Sequence, residues 1–215
     1  MMRVAVLASG GGTNLQALLD TCQGSAPARV VVVISNKATA GALERARSAG
    51  VATEVLADPG DGEGMVALLR SYDADLVVLA GYLKLVPEAV VRAFENRMLN
   101  IHPALLPSFG GPGMYGHRVH EAVLASGATI SGPTVHVVTA EYDRGPIVAQ
   151  WPVPVAGDDT PETLAARVLE VEHQLLPAVV LAAARAGHVV RLVGREAAFG
   201  GSATPGPVAD ATVWV

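Results

Sequence analysis

Three short apolar runs, each opened by one charged residue, constrain this chain more than any other feature: residues 3–8, 29–34 and 75–80. Runs of this length with no polar alternation read as strands buried on both faces, the mark of a parallel sheet covered by helices. Residues 51–56 and 97–101 complete a set of five strands. Helical segments are expected between them at residues 15–20, 41–49 with Gly50 as a C-cap, 65–70, and from Pro87 to Phe94. Residues 58–64 read as a flexible surface loop. The alternation predicts an α/β fold, doubly wound, with a mostly parallel sheet and right-handed crossovers.

The second half of the chain changes pattern. A helix is expected over residues 117–126, closed by Gly127. Residues 129–138 and 147–155 read as two strands joined by a loop at 139–146, an antiparallel C-terminal hairpin. Thr160 reads as an N-cap with Pro161 behind it and no capping box from Thr163. A long C-terminal helix then runs to about residue 186, with Leu164, Val168, Val171, Leu175 and Val179 at helical spacing and Pro177 a candidate kink. Residues 189–192 could add an edge strand. One domain over residues 1–192 is expected, followed by a Gly/Ala/Pro-rich tail at 193–215 that reads as poorly ordered.

Two sites of possible chemistry stand at strand ends. After the first strand comes Ser9-Gly10-Gly11-Gly12-Thr13-Asn14, then a helix. Glycines let the backbone approach a ligand, and free N–H groups at the helix start favour an anion. The dinucleotide fingerprint wants a third glycine near Leu15, and a P-loop wants a lysine. Both fail, so the loop suits a small phosphate monoester; a tight turn with no ligand is the rival. After the fifth strand comes Asn100-Ile101-His102-Pro103, with Pro107 beyond. Period-2 alternation sends Asn100 and His102 from one face, and the prolines hold an extended elbow. In open α/β sheets ligands bind at this edge. The rival is an ordinary strand end with a satisfied histidine.

Composition narrows the partners. With 15 basic against 20 acidic residues the net charge is −5, which argues against broad nucleic-acid binding. No apolar run is long enough for a membrane span. A single cysteine, Cys22, excludes an internal disulfide and suits a reducing, cytoplasmic setting.

Taken together, the glycine loop, Ser35-Asn36-Lys37, the run from Leu79 to Leu85, the Asn100–Pro107 elbow, the run from Thr134 to Val138 and Asp143-Arg144-Gly145-Pro146 resemble the phosphoribosylglycinamide formyltransferases of purine biosynthesis, to about residue 190. The resemblance implies transfer of a formyl group from 10-formyltetrahydrofolate to the amino group of glycinamide ribonucleotide, through a tetrahedral intermediate and without a metal. It implies that Gly12, Thr13 and Asn14 hold the phosphate and that Glu172 contacts the ribose, where the residues alone suggest a solvated helix face. It implies a folate pocket from Leu83, Lys84, Leu85, Val86 and Asn100, with Asn100, His102 and Asp143 catalytic. The N-terminal half would bind the phosphate and the C-terminal half would contribute to the folate site. A homodimer is compatible with it.

That chemistry needs charge stabilisation on the formyl oxygen. Asn100 would donate an amide N–H and His102 would act as an imidazolium, kept cationic by Asp143, which could also shuttle the amine's proton. His136 reads as a structural core histidine that could support the site. One departure stands out: residues 58–73 are shorter than is usual in the family and offer no counterpart to its folate-contacting arginine. The rivals are a formyltetrahydrofolate deformylase, usually carrying an extra N-terminal domain where this chain's first strand begins at Arg3; a methionyl-tRNA formyltransferase, which carries an extra C-terminal domain; and a non-catalytic nucleotide-binding module.

Overall fold

The structure, a computed structural model, describes residues 1–189. The tail expected at 193–215, and the edge strand expected at 189–192 beyond its first residue, lie outside the described residues. The chain runs β1 (Met2–Leu7), α1 (Thr13–Thr21), β2 (Ala28–Ser35), α2 (Gly41–Ser48), β3 (Ala52–Val55), α3 (Gly62–Ser71), β4 (Leu76–Leu79), α4 (Glu88–Ala93), β5 (Met98–His102), α5 (His117–Ala125), β6 (Ile130–Ser131), β7 (Thr134–Val137), β8 (Ile147–Gln150), β9 (Val153–Pro154) and α6 (Pro161–Ala186). The main sheet has seven strands in the order β3-β2-β1-β4-β5-β7-β8. The first five are parallel, and β7 and β8 continue antiparallel.

Alternation along β1 explains why both faces are covered. Val4, Val6 and Ala8 face one layer with Leu15 and Leu18 of α1, Leu43 of α2 and Leu176 and Val179 of α6. Ala5 and Leu7 face the other, with Met65 and Leu69 of α3 and Val90 of α4. All of these side chains are fully buried or nearly so. Each contributes about 1.5–3 kcal/mol for a Leu or Val, so the strand must be apolar on both sides. Among the described residues, no helix is long and apolar enough to cross a membrane.

Three expectations are corrected. The two hairpin strands are each broken, at Gly132-Pro133 and at Trp151-Pro152. Pro cannot donate to a ladder, and Gly132 has φ 136° with no room for a Cβ against the Trp151 carbonyl. The far halves, β6 and β9, pair as a separate small sheet. Residues 62–64, read as loop, open α3, because the Asp61 carboxylate caps the Gly64 N–H at 2.9 Å. Thr163 does complete a capping box on α6. Its hydroxyl accepts from the Thr160 N–H at 2.9 Å and donates to Asp159 at 2.8 Å, the double role a Thr hydroxyl allows.

Candidate active site

Every predicted site except one part of the glycine loop opens on one cavity of about 480 Å³ at the carboxyl ends of β4 and β5. Leu83, Lys84, Leu85 and Val86 line it, as do Asn14, Asn100, His102, His136, Asp143 and Glu172. Gly81, at φ 75°, turns the chain out of β4 toward the 83–86 segment. The Ser9 hydroxyl ties that segment down: it accepts from the Leu83 N–H at 3.0 Å and donates to Asn36 at 2.6 Å.

Asp143 gathers the side chains of the elbow. It sits in the turn between β7 and β8 in the left-handed region, φ 55°, a strained conformation for a non-glycine residue. Its Oδ2 accepts from the Gly111 N–H at 2.9 Å and lies 3.6 Å from His102 Nδ1. Its Oδ1 lies 3.4 Å from both Asn100 Nδ2 and His136 Nε2. Asn100 and His102 therefore leave β5 from one face, as alternation predicts. Burial pushes the Asp143 carboxyl up, but His136, His102 and the Gly111 N–H outweigh it and hold the group below the usual carboxylate range.

The structure adds His136 to the site. The β5–β7 register sets it directly opposite Asn100. Its Nδ1–H donates to the Val137 carbonyl at 2.9 Å, and its Nε2 lies 3.0 Å from the Asn100 amide nitrogen and 3.4 Å from Asp143 Oδ1. A histidine inside a run of β-branched residues was its only signal in the sequence.

Asp143 favours the charged form of His102, in the direction expected, and burial opposes it. Burial lowers the His102 pKa below its ordinary value; Asp143 and the Phe109 carbonyl pull it up without reversing the shift, and His136 lowers it further. His102 is only 3% exposed, so desolvation of the charged ring dominates a carboxylate 3.6 Å away. Nε2–H donates to Phe109 O at 2.8 Å. In the neutral ring Nδ1 is then a lone pair facing Asp143.

Glu172 is not on a solvated face. It is 7% exposed and accepts from Asn14 Nδ2, with the oxygen and nitrogen 2.6 Å apart. Burial raises its pKa to about 7, against the opposing pull of Asn14. Holding an acid protonated up to about 7 rather than 4.5 disfavours its charged form by on the order of 3 kcal/mol. The fully buried Leu164, Val168, Leu176, Val179 and Val180 of the same helix exceed that cost several-fold. Asn14 Oδ1 and the Tyr82 hydroxyl are buried with no protein partner among the described residues.

The glycine loop is built from backbone. Gly12 caps α1 at φ 75° with no side-chain cap, and no acid stands in the first turn. The N–H groups of Gly12, Thr13 and Asn14 have no protein acceptor among the described residues. A Cβ on Gly12 would come within 2.7 Å of the Ala42 backbone, so glycine is required there by α2. Thr13 faces a second hollow, of about 430 Å³, with Arg45 and His173. His102, His136 and Asp143 converge, but among the described residues no group of three His, Cys, Asp or Glu is arranged to hold a metal ion.

The formyl transferase family model matches residues 2–180. A chloroplastic phosphoribosylglycinamide formyltransferase of Arabidopsis thaliana is 50% identical over 186 residues, 83% of this chain; the chain spans 64% of that relative's length. The Escherichia coli K12 phosphoribosylglycinamide formyltransferase is 41% identical over 187 residues, 83% of this chain and 85% of its own. The crystal structure of glycinamide ribonucleotide transformylase 1 from Symbiobacterium toebii superposes with a TM-score of 0.81 at 44% identity, covering 91% of this chain and 92% of the other. With its match over residues 2–180 and these relatives, the chain belongs to the formyl transferase family, on the phosphoribosylglycinamide formyltransferase branch.

Proposed function

We propose that the protein transfers a formyl group from 10-formyltetrahydrofolate to the amino group of glycinamide ribonucleotide. The observation that carries this reading is the meeting of Asn100, His102 and Asp143 on a cavity that also takes in Asn14, Glu172 and the 83–86 segment. Its volume lies in the range of small-ligand sites, and Asn14 Oδ1 and the Tyr82 hydroxyl offer polar atoms that no protein group satisfies.

In this reading Gly12, Thr13 and Asn14 hold the phosphate, Glu172 holds the ribose, and Leu83, Lys84, Leu85 and Val86 line the folate site. The N-terminal half supplies the phosphate loop and the C-terminal half contributes to the folate site. The folate supplies the formyl group and the amine supplies the electron pair. Asn100 spends two N–H groups on His136 and Asp143; the longer bond, to Asp143, is the one a formyl oxygen replaces as it gains charge. His102, neutral and with Nδ1 free, takes the proton that the amine loses as the new C–N bond forms. It returns that proton to the folate nitrogen as the old C–N bond breaks. Asp143 stays a carboxylate throughout and stabilises the transient imidazolium. His136 fixes the orientation of the Asn100 amide. The partners are small molecules, and a single buried cysteine suits work in the cytoplasm.

The test is an assay with both substrates in which water competes as acceptor. Formylated ribonucleotide should accumulate in step with loss of the formyl folate. Release of formate at the same rate with or without the ribonucleotide would make the protein a hydrolase instead.

A further inference from the structure

Arg45, on α2, plays no part in the chemistry above, yet its guanidinium reaches the glycine loop. Its Nε donates to the Gly11 carbonyl at 2.8 Å and its Nη1 donates to Gln16 Oε1, on α1, at 3.1 Å. One turn earlier on the same helix, the Ala42 N–H donates to the Gly10 carbonyl at 3.0 Å. Two successive carbonyls of the loop are thus drawn toward α2. Both peptides are trans, so the N–H on the far side of each points the opposite way. The Gly11 and Gly12 N–H groups are turned away from α2, free to act with those of Thr13 and Asn14 at the head of α1. Gly41 makes the approach possible, since a Cβ there would meet the Gly11 carbonyl at 3.3 Å. Without a donor on its carbonyl, the Gly11–Gly12 peptide is flanked by glycines and has little to stop it rotating.

We propose that Arg45 is a positioning residue of the phosphate site: by holding the Gly11 carbonyl it fixes the peptide that presents the Gly12 N–H to a phosphate monoester. This rests on the phosphate reading of the loop. Arg45 acts through the backbone, and its planar fork matters because one arm holds the loop while the other is anchored on Gln16. A lysine keeps the charge and loses the fork.

The test compares Arg45→Ala, Arg45→Lys and Gln16→Ala with the parent protein in formyl transfer. Arg45→Ala should raise KM for the ribonucleotide by roughly tenfold or more, the scale of one lost charge-assisted hydrogen bond, with KM for the folate and kcat changed less than about twofold. Arg45→Lys should recover only a minor part, Gln16→Ala should raise the same KM by about two- to threefold, and added guanidinium should restore Arg45→Ala without affecting the parent. Full recovery by Arg45→Lys, or no rise in Arg45→Ala, overturns the proposal; Gln16→Ala carries the test alone if Arg45→Ala misfolds. Parallel assays use the nucleoside lacking the phosphate. If the parent protein does not distinguish it from the ribonucleotide, the phosphate reading fails and the role of Arg45 with it. If the parent does and Arg45→Ala still does to the same degree, only the role of Arg45 falls.

Discussion

The two strand ends that carry the candidate site are made of different material. At the end of β1 the loop presents backbone N–H groups, and the side chains that matter stand behind it, on α2. At the end of β5 the working groups are side chains, gathered on one carboxylate from a hairpin turn 43 residues away from Asn100. A backbone site tolerates changes of side-chain chemistry and fails when a Cβ intrudes. A side-chain site tolerates small shifts of backbone and fails when one group changes identity. The first suits a ligand group that never reacts; the second suits atoms whose charge changes during turnover.

Four experiments sharpen or break that contrast. The largest effect is expected at the side-chain end, where Asn100→Ala should lower the single-turnover rate by about 10²–10³ while leaving ribonucleotide affinity near normal. A rate within a few-fold of the parent would remove Asn100 from the chemistry. At the backbone end, Gly12→Ala should destabilise the fold by about 2–4 kcal/mol in urea unfolding, because a left-handed residue and a clash with Ala42 coincide. Gly11→Ala, with nothing within 4 Å, should stay within about 1 kcal/mol. Equal losses would mean that α2 does not dictate the loop.

Glu172 joins the two ends through Asn14, and its effect is intermediate. Its folded-state pKa is raised, so the folded protein keeps a proton that the unfolded chain releases between about pH 4.5 and 7, and stability falls as pH rises through that window. Glu172→Gln should therefore gain on the order of 1–3 kcal/mol over the parent at about pH 8, shrinking toward zero near pH 4. A gain that does not vary with pH would show that the carboxyl is not held protonated. The smallest effect is a titration. By proton NMR, His102 should titrate below the ordinary imidazole value, and Asp143→Asn should lower it again, since the carboxylate is what pulls it upward. A rise in Asp143→Asn would reverse the assigned coupling.

Much of this was legible in the chain. The apolar runs announced β1, β2 and β4, the three strands of the sheet centre, because burial on both faces leaves almost no polar position there. The same-face relation of Asn100 and His102 followed from strand period alone. What stayed hidden depends on which strand lies beside which. His136 joins the site only through the β5–β7 register, and the protonation of His102 depends on burial by remote residues. Glu172 was half visible: it lies four residues after Val168 and three before Leu175, on the core stripe of α6, where a solvated acid does not belong. Thr163 carries no such signal, since the residue that marks a capping box at that position is usually Glu or Gln.

The bond between Asn14 and Glu172 spans 158 positions of sequence. During synthesis the chain emerges amino end first, so β1, α1 and β2 can pair early while Asn14 has no acid to meet. That corner of the cavity is completed only when α6 leaves the ribosome and docks on α1. A nascent chain arrested before residue 172 would thus hold most of its parallel sheet and the glycine loop, yet under the proposed function should not retain the ribonucleotide; binding competence waits for residue 172 to emerge.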